Sequence, residues 1–151
     1  MDDFRGFSVN LRGGISISLK YDLGISLGTE LCFYKNQNIY SVEYAFQGEF
    51  TIFSGEDYTT NQIGFYYGKF WGKNWYRYQL QAGFGPLWGE RMVSNRYSSY
   101  TTGGVFIKTG VKLLPSWFMG IGADLQLNIK SILINPFRIV FIYLTSQTYY
   151  P

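Results

Sequence analysis

Apolar and polar residues alternate at period two along almost the whole chain, and this limits the fold more than any other feature. In 117–130, Trp117, Met119, Ile121, Ala123, Leu125, Leu127 and Ile129 fall on one side of an extended strand, and Gly120, Gly122, Asp124, Gln126, Asn128 and Lys130 on the other. In 39–53, Tyr40, Val42, Tyr44, Phe46, Phe50 and Ile52 oppose Ser41, Glu43, Ala45, Gln47, Glu49 and Thr51. Tyr76, Tyr78, Leu80, Ala82 and Phe84 likewise oppose Arg77, Gln79, Gln81, Gly83 and Gly85, and Phe7, Val9, Leu11, Ile15 and Ile17 oppose Ser8, Asn10, Arg12, Ser16 and Ser18. No long window has a helical period, and no apolar run approaches the ~18 residues of a membrane helix.

Turn signals divide the pattern into about eight strands: 6–19, 24–35, 39–53, 61–71, 75–90, 101–114, 117–130 and 136–146. Asn36-Gln37-Asn38, Gly72-Lys73-Asn74 and Pro115-Ser116 read as tight turns. Segments 54–60 and 91–100 read as longer loops, as does 130–135, while 20–23 is short. Short turns on one rim and longer loops on the other are the plan of an up-and-down barrel in an outer membrane. Pro86 and the pairs Gly13-Gly14 and Gly103-Gly104 read as bulges or close-packing points.

Alternation alone does not say which face is inside. A soluble barrel of the lipocalin kind turns the apolar face inward and binds an apolar ligand; a membrane barrel turns it outward. Three features favour outward. Charged residues make up only 15% of the chain, so the polar faces lack the Lys and Glu that solvate a sheet in water. The charges that remain are balanced: Arg12, Arg77, Lys108 and Lys112 against Glu30, Glu43, Glu49 and Asp124, as a lumen charge network requires. Aromatics, 21% of the chain, gather near strand ends, among them Phe33, Tyr34, Tyr40, Phe70, Trp71, Trp75, Tyr76, Trp88, Tyr100, Trp117 and Phe118, as in an interfacial girdle. Lys69 is the one charge expected on the apolar face, at a strand end where its stem can snorkel. The expectation is therefore an all-β, closed, antiparallel up-and-down transmembrane β-barrel of about eight strands, a single domain over 1–151.

The stretches Asn61-Gln62-Ile63-Gly64-Phe65-Tyr66-Tyr67-Gly68-Lys69 and Gly120-Ile121-Gly122-Ala123-Asp124-Leu125 resemble barrel strands of porin-like proteins. With the architecture over nearly the whole chain, they make it similar to the small outer-membrane barrels related to OmpX and the OmpA transmembrane domain. The resemblance implies residence in the bacterial outer membrane, an ion-paired, largely plugged lumen and external loops, but no single activity. Two features depart from that pattern. The chain runs past the usual terminal aromatic to Thr145-Ser146-Gln147-Thr148-Tyr149-Tyr150-Pro151. Its last strand also carries Val140, Ile142 and Leu144 where the lumen should be polar. Met1-Asp2-Asp3-Phe4 has neither a basic nor an apolar export segment, so the sequence reads as a mature or truncated form.

Little chemistry is available. The chain has no His and one Cys, Cys32, which excludes a His-based triad, a Cys/His zinc site and an internal disulfide. Glu43 and Glu49 share a face but stand about 20 Å apart at ~3.3 Å per residue, too far to act as an acid–base pair. A net charge of +3, with aromatics spread over all segments, does not suit nucleic acid. No cofactor is expected. The expected partners are outer-membrane lipid and a protein or surface met through 54–60 and 91–100, with Arg91, Arg96, Tyr97 and Tyr100 as contact residues. Glu56 and Asp57 make the first of these loops acidic. A structural, adhesive or accessory barrel is the first reading; a soluble lipocalin-like barrel, a narrow pore and a lipid-directed enzyme are the rivals.

Overall fold

A computed structural model describes residues 5–17, 23–50, 57–73, 75–93, 96–114, 119–130 and 137–149, with backbone alone described for 137–149 and a few strand ends. The strands are β1 (Arg5–Ile17), β2 (Leu23–Lys35), β3 (Asn38–Phe50), β4 (Asp57–Lys73), β5 (Tyr76–Val93), β6 (Arg96–Leu113), β7 (Met119–Lys130) and β8 (Phe137–Tyr149). Each pairs antiparallel with the next. β2 and β3 meet through two residues, Asn36 and Gln37; Asn36 takes the left-handed region at φ 56°, which Asn tolerates. Gly72, at φ 138°, ends the β4 side of the next turn, where a Cβ would meet the Tyr76 backbone.

The expected closed barrel of eight like strands needs correction. The seven strands with described side chains, β1–β7, form an open, strongly curled antiparallel sheet that turns through 242° and leaves a 9 Å gap. They do not shut the cylinder themselves. The gap is about two inter-strand spacings of ~4.8 Å, the width of one further strand. Only the backbone of β8 is described there, laddered to β1 on one side and to β7 on the other. The physical reason the expectation failed is that β8 is not a strand like the others, since Val140, Ile142 and Leu144 break the alternation that defines a lumen face. Read straight across the ladders, Arg5, Lys35, Asn38, Lys69, Leu80, Thr109, Leu125 and Val140 lead back to β1 at Ile15, ten residues further on. Such a stagger tilts the strands steeply, by roughly 35–45° in barrels of this kind.

Two expected loops are also corrected. Segment 91–100 is a hairpin: β5 and β6 stay paired from Arg91↔Ser98 to Val93↔Arg96. Of 54–60, residues 57–60 belong to β4, and 54–56 fall outside the described residues. The Ser, Thr, Tyr and Arg that suggested loops are also what a strand carries beyond the bilayer, where both faces meet water. Arg96–Ser99 are indeed exposed on both faces, before alternation sets in along β6. Pro86 is not a bulge. The β4–β5 ladder lapses between Gln62↔Leu87 and Phe65↔Phe84 and resumes in the same register, because Pro removes a donor without adding a residue. Pairing runs unbroken past Gly13-Gly14 and Gly103-Gly104, so neither is a bulge.

The distribution of side chains is inside out. The interior holds Ser8, Asn10, Arg12, Ser26, Glu30, Glu43, Gln62, Gln79, Lys108, Lys112, Asp124, Gln126 and Asn128, all buried. The outside carries Leu11, Ile15, Ile25, Leu27, Val42, Ile107, Val111 and Ile121, with Leu11 65% exposed. Near the short turns Phe7 packs against Phe33 and Tyr40 against Tyr67 at tilted angles and Trp75 meets Tyr76 edge-on, an exposed aromatic cluster of the kind that forms a membrane-interface girdle. Lys69 is exposed at that same end. Among the described residues no helix is long and apolar enough to cross a membrane.

Candidate functional site

The interior charges are assembled by register. Asn10, Glu30 and Glu43 stand side by side on β1, β2 and β3, all pointing inward. Two carboxylates directly opposite each other repel, and Lys108 answers this from β6. Its ammonium bonds Glu30 and also Glu43 Oε2, the latter at 2.9 Å. Arg12 of β1 uses both guanidinium ends, Nη1 on Glu43 and Nη2 on Asp124 Oδ2 of β7 at 2.6 Å. Asn10 Nδ2 donates to Glu30 Oε2 at 2.7 Å, and Gln79 Nε2 to Asp124 Oδ1 at 3.1 Å. All five charged side chains are fully shielded from solvent.

Gly110 explains how Gln79 reaches Asp124. It sits between them in the cross-strand row, and a Cβ there would overlap the Asp124 carboxylate. Gly110→Val is expected to lower stability by about 1–3 kcal/mol through overpacking, measured by urea unfolding of the folded protein in lipid vesicles.

Apolar and amide side chains flank the cluster. Towards the loop rim, Tyr66 lies over the bare backbone of Gly64 and Gly83 and packs with Leu87 and Phe106. Gln62 and Gln126 donate to the Tyr66 hydroxyl at 2.9 and 3.0 Å, and Asn128 closes the ring onto Gln62 at 3.3 Å. Lys108 Nζ stands 4.1 Å from the Tyr66 ring centre, a cation–π contact. Towards the turn rim, Lys112 donates to the Tyr34 hydroxyl at 2.9 Å, and Arg77, its cross-strand neighbour, lies 5.3 Å from the Tyr34 and Phe70 ring centres.

Of the residues singled out from sequence, Arg12, Glu30, Glu43, Lys108 and Asp124 meet in one cluster, and Arg77 and Lys112 form the layer beside it. Glu49 lies at the end of β3, where side chains are outside the described residues. Arg96 and Tyr97 are exposed on the β5–β6 hairpin, Tyr97 at 70%. Arg91 is half-buried there. Tyr100 turns inward instead, its hydroxyl on Thr60 and on the Thr59 carbonyl at 3.4 Å. Tyr34, expected in the girdle, is buried in the lumen, and half-buried Phe70 packs against it. Parity in the sequence puts Asn10, Gln79, Gln126 and Asn128 on the polar face without singling them out as site residues, and it names neither Gln62 nor Tyr66 as their partner. Trp117 and Phe118 lie outside the described residues. The grouping is one of mutual ion pairing, with no histidine in the chain to serve a nucleophile, and among the described residues no cluster could hold a metal ion.

No protein-family model matches the sequence, and no curated protein matches it. Solved structures do match in fold. Neisserial surface protein A (NspA) superposes with a TM-score of 0.72 at 13% identity, over 97% of each chain. Ail, the attachment invasion locus protein of Yersinia pestis, gives 0.67 at 10% identity, over 98% of this chain and 100% of that one. The N-terminal β-barrel domain of Pseudomonas aeruginosa OprF gives 0.67 at 9% identity, over 93% and 97%. At such identities the likeness is one of fold. Together with the inside-out side chains and the exposed aromatic cluster, it gives this chain the fold of the small outer-membrane β-barrels, with buried ion pairs in its interior.

Proposed function

We propose that the chain is a non-catalytic, integral outer-membrane barrel forming one domain over 1–151, whose lumen is plugged by its own side chains and whose projecting hairpin meets a partner. The observation that carries this reading is the reach of Arg12 and Lys108 across the interior, tying β1, β2, β3, β6 and β7 at one level. Carboxylates and cations that neutralise each other away from water suit a brace better than an ion path. The lumen charge network of this proposal includes Arg77, Lys112 and Glu49 besides the five clustered residues. Arg96 and Tyr97 at the tip of β5–β6, with Arg91 below them, supply the guanidinium and aromatic surface that binding loops use. Ail has been solved in complex with the heparin analogue sucrose octasulfate; for this chain a surface partner reached through the hairpin is of the same general kind.

Conductance tests the plug. Reconstituted into planar bilayers, the protein is expected to show no steady channel current. A stable open current from the unmodified chain would replace this reading with that of a narrow pore.

A further inference from the structure

A recess of about 580 Å³ opens in the outer wall where β4, β5, β6 and β7 pass side by side. Phe65, Phe84, Val105 and Ile129 form an unbroken cross-strand row on the outward face and make one side of it. The next outward row has Pro86 opposite Gly103, and a Cβ at Gly103 would touch nothing. The wall is thus lowered by a missing side chain beside a ring that cannot donate a hydrogen bond. Thr102, the one hydroxyl at the recess, donates to the Gly103 carbonyl at 3.3 Å. On the inner side, a Cβ at Gly104 would meet Leu87 and Phe106, so the lumen behind Gly104 is occupied by their side chains.

We propose that this recess is a lipid site that seats one hydrocarbon chain of a bilayer phospholipid. The inference rests on the outward-apolar reading. The recess is continuous with the belt formed by Phe84, Val105 and Ile129, whose surroundings in a membrane are acyl chains. Flat parts of the belt meet lipid on one side only. Here a chain lies against the row of Phe65, Phe84, Val105 and Ile129 and rests on the bare Gly103 backbone beside Pro86, so it gains dispersion contacts from beside as well as beneath.

Native mass spectrometry tests it. The protein is refolded into dioleoylphosphatidylcholine vesicles and extracted into a mild detergent. The wild type is expected to retain a one-to-one phosphatidylcholine adduct. Gly103→Leu puts a side chain into the floor of the recess, where an added Cβ touches nothing, and is expected to reduce that adduct at least tenfold, whereas Val111→Leu, on the flat belt, leaves it unchanged. Equal retention by wild type and Gly103→Leu overturns the site, as does a second protein copy in place of lipid that Gly103→Leu removes. A wild type that shifts on an unheated gel but carries no adduct also overturns the site, and it leaves the barrel reading standing. A chain that stays folded in plain buffer and takes up no detergent sinks both.

Discussion

Lys108→Met is expected to destabilise the folded protein by about 3–5 kcal/mol, the range for removing one partner of a buried ion pair. The aliphatic stem is largely kept, while the ammonium's ion pairs and its cation–π contact with Tyr66 are lost, so the change isolates the charge. Without it, Glu30 and Glu43 face each other across β2 and β3, Glu43 held by Arg12 and Glu30 by the amide of Asn10. The second carboxylate then becomes a liability. Adding Glu30→Gln to Lys108→Met is expected to recover part of the loss, giving a double-mutant coupling well above the ~0.5 kcal/mol of independent sites. Urea unfolding in vesicles, followed by tryptophan fluorescence, measures all three variants. Additive losses would mean that Lys108 acts by packing and not by charge.

Ile107→Arg should cost about 2–4 kcal/mol, because the position belongs to the apolar belt and a guanidinium at mid-depth must be dragged towards the headgroups. Ile107 is exposed between outward-facing Ala82 and Leu127, one residue from Lys108 on the same strand. Tyr97→Arg, on the hairpin beyond the belt, is expected to change stability by less than ~0.5 kcal/mol. Because 107 and 108 are adjacent, opposite demands for charge at the two sites would separate an inside-out barrel from a soluble one. In a soluble barrel Ile107→Arg would bury a charge and Lys108→Met would be nearly neutral.

Period two was enough to place most lumen residues, because parity fixes the face once a strand's phase is known: Arg12, Glu30, Glu43, Lys108 and Asp124 were legible without contacts. Which carboxylate met which cation was not. Glu30 and Glu43 are opposed only through the β2–β3 register, and Lys108 reaches them from β6, a relation no local pattern encodes. Tyr34 and Tyr66 were hidden for another reason. An aromatic ring reads as lipid-facing by type, yet bare glycine backbone, Gly64 and Gly83 under Tyr66, can take it inside. Strand ends at 91–100 were misread because past the membrane a hairpin has no face to keep apolar. The seven-stranded open sheet is not legible because the last segment, with Val140, Ile142 and Leu144, counts as a strand by composition although it lacks the alternation of the other seven.

Intermolecular nuclear Overhauser effects between lipid acyl protons and methyl groups, measured in nanodiscs, test the inside-out barrel most directly. Ile107, Leu27, Val111 and Ile25 should show strong effects to acyl methylenes, while Ile39 and Leu87, apolar but buried, should show none. Acyl contacts at Ile39 and Leu87 with protein-only contacts at Ile107 and Val111 would reverse the faces and contradict the account.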